Sequence, residues 1–209
     1  MEQYNGVNSK KSLEIILSRL KGFETSILGL EQFATPGNLA AELLWTAYMQ
    51  GHIEKSVVAD YGAGTGIIGI GALLLGAEKV IFIESDENAI IVLKENIKSL
   101  NIKGNIEIVK GNVEEFSEKS DTVIMNPPFG AVKRNADRAF LVKAFENSGN
   151  IYSIHNANSG NFLSKLSKDY NFSFNIISQR NFSIKKTFAH HKKPKEDIKV
   201  MLCVFLKIE

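Results

Sequence analysis

The chain has 209 residues, 44% of them hydrophobic, which is enough apolar material for one core of ordinary domain size. Its 25 Lys and Arg residues against 23 Asp and Glu residues leave a net charge of +2, so overall charge gives no indication of a nucleic-acid or membrane partner. The single cysteine, Cys203, excludes an intramolecular disulfide and any zinc or redox site that needs a CxxC pair.

The first predicted elements are two helices. Apolar residues at helical spacing over residues 12–23 predict an amphipathic helix. Thr35 and Pro36 then supply an N-cap and a first-turn proline for a helix that runs towards Met49, with Gly51 as its C-cap. We expect residues 1–51 to form a helical cap on a single domain that comprises residues 1–209.

From Val57 onward, short apolar runs alternate with helical patterns. This alternation predicts a doubly wound, mostly parallel, Rossmann-like α/β sheet. Two β-like stretches near the end of the chain predict a C-terminal antiparallel strand pair with a lysine-rich connection. The predicted strands cover residues 57–60, 80–84, 106–110, 122–125, 151–155, 172–182 and 199–208, and the predicted helices cover 66–75, 87–100, 136–146 and 162–170.

A glycine-rich loop, Asp60-Tyr61-Gly62-Ala63-Gly64-Thr65-Gly66, separates the first predicted strand from the helix that follows it. Its glycines let a ligand approach the backbone without interference from a Cβ atom. The loop also contains the GxGxxG pattern of dinucleotide sites, so by itself it does not separate NAD from S-adenosyl-L-methionine. Asp60 favours the latter, because its carboxylate suits the ammonium group of an amino acid.

Polar side chains also follow the second and third predicted strands. Glu84 closes the second strand, where a carboxylate can chelate the two ribose hydroxyls of a cofactor. Asp86 is the alternative, although its position favours a helix N-cap. Asn112 follows the third strand and can accept a hydrogen bond from an adenine amine, with a turn as its alternative role.

The sequence Asn126-Pro127-Pro128-Phe129-Gly130 directly follows the fourth predicted strand. Two prolines stiffen the chain, so the Asn126 side chain and the Pro127 carbonyl can be held as paired acceptors, while Phe129 can stack on a planar substrate. Such acceptors suit methylation of an amine whose lone pair is delocalised into a ring or an amide. The alternative is an ordinary Pro-Pro strand terminator.

These motifs resemble the class I S-adenosyl-L-methionine-dependent methyltransferases of exocyclic amines, and more closely the methyltransferase-like protein 5 family of archaeal and eukaryotic RNA adenine N6-methyltransferases. The resemblance covers residues 30–36, 57–60 with the glycine loop, 121–130 and 188–193. It implies N6-adenine methylation of structured RNA, with small-subunit ribosomal RNA as the substrate. Two departures are Glu84-Ser85-Asp86, where the family commonly has two aspartates, and Asn112, which replaces the usual aspartate.

The resemblance also implies which residues form the site. The target adenine is expected at Asn126, Pro127, Pro128 and Phe129. The cofactor is expected at Gln32, Thr35, Asp60, Gly62, Glu84 and Asn112, to which the loop glycines Gly64 and Gly66 and the motif residue Asn126 are added.

Other functions compete with this interpretation. An amino-methyltransferase can also act on protein glutamine or on DNA adenine, but the former enzymes usually have Tyr where Phe129 stands, and the latter usually carry a separate target-recognition domain. An NAD-dependent oxidoreductase is suggested only by the GxGxxG pattern, without an evident hydride-transfer site. A non-catalytic RNA-binding module is a further alternative, against which the intact Asn126 and Phe129 argue.

The C-terminal segment concentrates positive charge, with eight basic and three acidic side chains in residues 180–209. Its run His190-His191-Lys192-Lys193-Pro194-Lys195 is a predicted phosphate-binding segment in a basic hairpin, with a solvated loop as the alternative. No metal is expected at the paired histidines, because no carboxylate or thiol lies nearby in sequence. RNA is the expected partner, to which the resemblance adds a small activator subunit. Without a long apolar run or a leader-like N-terminus, we expect a cytoplasmic protein with no membrane partner.

Overall fold

The computed structural model describes residues 7–23, 35–128, 136–185 and 195–208. Its strands are β1 (Val57–Tyr61), β2 (Lys79–Glu84), β3 (Asn105–Lys110), β4 (Thr122–Met125), β5 (Asn150–Asn156), β6 (Phe172–Lys185) and β7 (Lys195–Lys207). Its helices are α1 (Lys10–Leu17), α2 (Gly37–Met49), α3 (Ile67–Leu74), α4 (Glu87–Ser99), α5 (Ala136–Asn147) and α6 (Gly160–Asp169).

The strands form one sheet with the order β3-β2-β1-β4-β5-β7-β6. The first five strands in this order are parallel, and β7 runs antiparallel to both of its neighbours, β5 and β6. The predicted Rossmann-like sheet with a C-terminal antiparallel pair is therefore confirmed. The chain moves outward from β1 to β3 and then returns to place β4 on the other side of β1. Such a reversal of strand order leaves a crevice at the carboxyl ends of β1 and β4, where ligands bind in open α/β sheets.

Two apolar layers cover the two faces of the sheet. Alternate strand residues, such as Val58 and Ala59, face opposite layers because side chains alternate along a strand. Helices α1, α2 and α3 and the apolar side of α4 pack on the Val58 face, and α5 and α6 pack on the Ala59 face. Polar residues at the strand ends are thereby held at one edge of a rigid sheet.

The first helix is shorter than the sequence predicts. It ends at Leu17, with Ser18 as its C-cap, instead of continuing to Phe23. The reason is tertiary: the Lys21 backbone amide donates to the Asn96 side chain of α4 at 2.9 Å, which draws the chain away from the helix axis. The apolar residues that follow Leu17 in this pattern therefore lie outside the helix.

The N-cap prediction for α2 is also wrong. Pro36 occupies the N-cap and makes no side-chain cap, while the Thr35 hydroxyl accepts a hydrogen bond from Asn126. The helix ends close to its predicted end, since Gly51 follows the C-cap Gln50 with φ +78°. Among the described residues, no helix combines the length and the apolar character that crossing a bilayer requires.

Candidate cofactor and substrate site

The glycine loop crosses the carboxyl ends of β1 and β2. Gly62, Gly64 and Gly66 have φ values of +67°, +55° and +84°, in the left-handed region that strains residues with a Cβ atom. The backbone N–H groups of Gly62 and Ala63 both donate to the Ile83 carbonyl at 3.0 Å. The loop is therefore fixed to the end of β2, beside the crevice.

Glu84, at the end of β2, connects the glycine loop to the start of α4. One carboxylate oxygen, Oε2, accepts from the Gly64 N–H at 2.7 Å, and the other, Oε1, accepts from the Ser85 and Asp86 N–H groups at 2.8 and 2.9 Å. The side chain is buried, with 9% exposure. A carboxylate oxygen can accept two hydrogen bonds, so Oε2 retains capacity for a hydroxyl donor. Asp86 instead caps α4 by accepting from the Asn88 N–H at 3.0 Å.

Asp60 lies beneath the loop with 1% exposure. Its Oδ2 accepts from the Gly69 N–H in the first turn of α3 at 2.8 Å. Burial raises the pKa of Asp60 to about 7, an effect that the Gly69 hydrogen bond opposes and the negative charge of Glu84 reinforces. A cationic ligand group nearby would favour the ionised form of this carboxyl.

Asn126 follows β4 and is oriented by Thr35. Its Nδ2 donates to Thr35 Oγ1 at 3.0 Å, and Thr35 is itself buried. The other amide atom, Oδ1, is buried and has no hydrogen-bond partner among the described residues. Leaving a buried acceptor unpaired costs about 1–3 kcal/mol, so the free oxygen marks a position suited to an N–H or O–H donor of a ligand.

The parallel register brings these groups together. Tyr61 pairs with Met125, so Gly62 and Asn126 follow at neighbouring strand ends. The Gly111 N–H donates to the Glu84 carbonyl at 3.0 Å, which places the exposed Asn112 beside the end of β2. In this structure the Asn112 amide donates to Glu115 at 3.4 Å.

Most of the predicted site residues thus lie along one crevice, although their ligand-binding roles stay predictions. Pro127 is buried and Pro128 is partly exposed directly after Asn126. Gln32, Phe129, His190 and His191 lie outside the described residues. Within the described part of the chain, no cluster of His, Cys, Asp and Glu side chains could hold a metal ion.

Asn96 of α4 holds the glycine loop in place, although no sequence motif indicates a role for it. It is 1% exposed and bonds the Lys21 backbone and the Thr65 carbonyl of the glycine loop. A signal for it exists, because Asn96 occupies a position of the apolar stripe that includes Ala89 and Leu93. A polar residue at such a position needs buried partners.

Comparisons with known proteins place the chain in a family. The family model described as "Conserved hypothetical protein 95" matches residues 43–168. The solved structure of PH1948 from Pyrococcus horikoshii, a candidate RNA methyltransferase, has a TM-score of 0.87 and 46% identity, with 95% of this chain and 96% of that chain covered.

Two animal relatives match over most of their length. The rRNA N6-adenosine-methyltransferase METTL5 of Danio rerio is 31% identical, with 91% of this chain and 95% of the relative covered. The rRNA N6-adenosine-methyltransferase Mettl5 of Drosophila melanogaster is 30% identical, with 91% and 92% covered. The chain therefore belongs to the methyltransferase family that includes these rRNA N6-adenosine-methyltransferases.

Proposed function

We propose that this chain is an S-adenosyl-L-methionine-dependent N6-adenine methyltransferase that acts on structured RNA, with small-subunit ribosomal RNA as its substrate. The observation that carries the proposal is the buried Oδ1 of Asn126, which follows β4 directly and has no hydrogen-bond partner in the described part of the chain, while Nδ2 of the same amide donates to Thr35. The family relatives with this activity support the same assignment.

The residues present fit the cofactor. The glycine loop offers backbone without Cβ atoms, which a ligand can approach closely. Glu84 lies near enough to Asp60 for its negative charge to help raise the pKa of Asp60. We assign Glu84 to the ribose hydroxyls and Asp60 to the ammonium group, with Asn112 beside the adenine.

Methylation of an adenine amine requires a hydrogen-bond acceptor for one of its N–H groups, and this acceptor need not be a strong base. The lone pair of an adenine N6 amine is delocalised into the ring, and Asn126 Oδ1 can accept one of its N–H groups and favour the geometry in which that lone pair is available. When bound, S-adenosyl-L-methionine would supply an electrophilic methyl group on its sulfonium; transfer of this methyl group to N6 would leave S-adenosyl-L-homocysteine, and the N6 proton would pass to solvent water. Thr35 keeps the amide in the orientation that directs its oxygen, not its NH2 group, at the amine.

RNA is favoured over the other acceptors for two reasons. The relatives that match almost the whole chain are named as rRNA enzymes. The basic C-terminal segment supplies side chains suited to phosphates. Membership of a methyltransferase family leaves the NAD-dependent oxidoreductase without support. We also propose the cytoplasm as the site of action and a small activator subunit as a partner.

A product analysis tests the proposed function. Isolated small and large ribosomal subunits are incubated with the chain and labelled S-adenosyl-L-methionine, and the RNA is digested to nucleosides. We expect labelled N6-methyladenosine from the small subunit alone, and far less label with the Asn126→Ala variant. Label on protein glutamine or on another nucleoside would overturn the proposal.

A further inference from the structure

A buried amide connects the start of the chain to the glycine loop. Asn96 Nδ2 donates to the Lys21 carbonyl at 3.0 Å and to the Thr65 carbonyl at 2.9 Å, while Oδ1 accepts from the Lys21 N–H at 2.9 Å. Both N–H groups and the oxygen of this amide are therefore hydrogen-bonded to the backbone of Lys21 and Thr65. Gly22 and Phe23, which follow Lys21 directly, are therefore held close to the loop.

Phe23 is placed by this connection. Its ring lies against Gly64, so close that a Cβ atom added to Gly64 would lie 3.0 Å from Phe23 Cζ. Within the described part of the chain, Phe23 is not among the partly buried apolar side chains that pack on either core layer. The ring is partly exposed and contacts the loop that we assign to the cofactor.

A second aromatic ring lies against the same loop at another position. A Cβ atom added to Gly62 would lie 2.9 Å from Phe140 Cε1, and Phe140 comes from α5. Gly64 is also the residue whose N–H donates to Glu84. The loop from Gly62 to Gly64 therefore has the aromatic rings of Phe140 and Phe23 against it and the Glu84 carboxylate hydrogen-bonded to it. Apolar and charged groups side by side suit a ligand that has both an aliphatic chain and a ribose.

We propose that Phe23 is a cofactor-contacting residue of this methyltransferase and that Asn96 is its positioning residue. The inference rests on the proposed function, since it deepens the cofactor site. Asn96 itself touches no ligand in this proposal. It holds Lys21 and Thr65 together so that the ring of Phe23 stays beside Gly64.

Calorimetric titration with S-adenosyl-L-homocysteine tests the role of Phe23. We expect Phe23→Ala to weaken binding about tenfold, because an apolar wall is lost, and Phe23→Tyr to remain within about threefold of wild type. Ile15→Ala is the matched control, since Ile15 is an apolar residue of α1 with 43% exposure. An unchanged dissociation constant for Phe23→Ala would overturn the proposal.

Asn96→Asp tests the positioning role. This change keeps the acceptor for the Lys21 N–H but removes both donors to carbonyl oxygens, so we expect a cofactor KM about fivefold higher with kcat nearly unchanged. A purely structural role would lower the melting temperature without altering this KM. If Asn96 acts through Phe23, the double variant Phe23→Ala/Asn96→Asp will bind no more weakly than Phe23→Ala, because the two effects are not additive. Fully additive losses would contradict the coupling.

The outcomes separate this inference from the proposed function. If the wild-type chain fails to bind S-adenosyl-L-homocysteine, the cofactor assignment itself fails. If the wild type binds and Phe23→Ala binds equally well, only the assignment of Phe23 fails.

Discussion

Asn126 and Thr35 are 91 positions apart in the chain, and the amide nitrogen of Asn126 donates to the Thr35 hydroxyl at 3.0 Å. This bond occupies the amide nitrogen of Asn126. The amide oxygen is buried and has no partner among the described residues. A residue near the start of the chain thus sets the chemistry offered by the motif after β4.

Thr35→Val should lower kcat by about fivefold, since the loss of one neutral hydrogen bond, worth about 1 kcal/mol, allows the Asn126 amide to rotate. Thr35→Ser retains the hydroxyl and should stay near wild-type turnover. Both variants are assayed at saturating cofactor, so that any direct contact between Thr35 and the cofactor does not enter kcat. Equal turnover of the Val and Ser variants would show that the hydroxyl does not orient Asn126.

Asn126→Ala should lower methyl transfer by at least roughly two orders of magnitude, because the acceptor acts mainly in the transition state. Binding of S-adenosyl-L-homocysteine should change little, which calorimetry can establish. Phe129→Ala should abolish transfer, whereas Phe129→Tyr retains a ring for stacking and should keep part of it. Near-wild-type turnover of Asn126→Ala would show that Asn126 does not act in methyl transfer.

Glu84→Ala should weaken S-adenosyl-L-homocysteine binding by about 1.5–3 kcal/mol, because charge-assisted bonds to ribose hydroxyls are lost. It should also lower the free energy of unfolding, since the N–H groups of Gly64, Ser85 and Asp86 lose their acceptor. Asp86→Ala removes the cap of α4 and should cost about 1 kcal/mol of stability with unchanged affinity. If Asp86→Ala weakened cofactor binding and Glu84→Ala did not, Asp86 would be the residue that binds the ribose hydroxyls.

Cofactor affinity should rise with pH through the neutral range. The raised pKa of Asp60, about 7, means that much of this carboxyl is protonated at neutral pH, and a bound ammonium group favours its ionised form. Binding then releases a proton, so the dissociation constant falls as pH rises until Asp60 is ionised in the free chain as well. Calorimetry in buffers of different ionisation enthalpy measures this proton release, and Asp60→Asn should abolish it.

The same group affects stability in the opposite direction. Because the folded-state pKa of Asp60 lies above its ordinary value of 3.8, the folded chain binds more protons than the unfolded chain between about pH 4 and 7. The contribution of Asp60 to the free energy of unfolding is therefore complete below this window and is lost as pH rises through it. Asp60→Asn should flatten the profile over this range in urea unfolding experiments.

Replacing Lys192, Lys193 and Lys195 by Glu should weaken RNA binding and flatten its salt dependence, because each lost phosphate contact removes about 0.7–0.9 from the log-log slope. Cofactor binding should be unaffected. Arg180 is a less useful target, since it already forms a bidentate ion pair with Glu42, with bonds of 2.8 and 3.2 Å. Matching slopes for the wild type and the triple variant would identify the segment as a solvated loop.

The sequence predicted the elements whose signals are local. Alternating apolar patterns located all seven strands, and the change of pattern after Met125 located the end of β4. The motifs at strand ends were also expected to lie together, because the carboxyl ends of parallel strands share one edge of a sheet. Such features depend on the properties of neighbouring residues and need no knowledge of distant partners.

Features that depend on distant partners were not predictable. Thr35 has the sequence context of an N-cap, and only its contact with Asn126 gives it another role. The end of α1 is set by Asn96, 75 positions from Lys21. The strand order likewise depends on how the whole sheet packs. A periodic pattern covers only neighbouring residues and so carries no information about that order.

The bonds of Lys21 to Asn96 and of Thr35 to Asn126 have a consequence for protein synthesis. The ribosome makes the first partner of each pair long before the second. While the nascent chain is short, the segment that carries Phe23 has neither Asn96 nor the glycine loop to bind, and Thr35 has no Asn126. The cofactor crevice therefore cannot be completed from its N-terminal side until β4 has emerged, and premature truncation before residue 126 yields a chain without an assembled site.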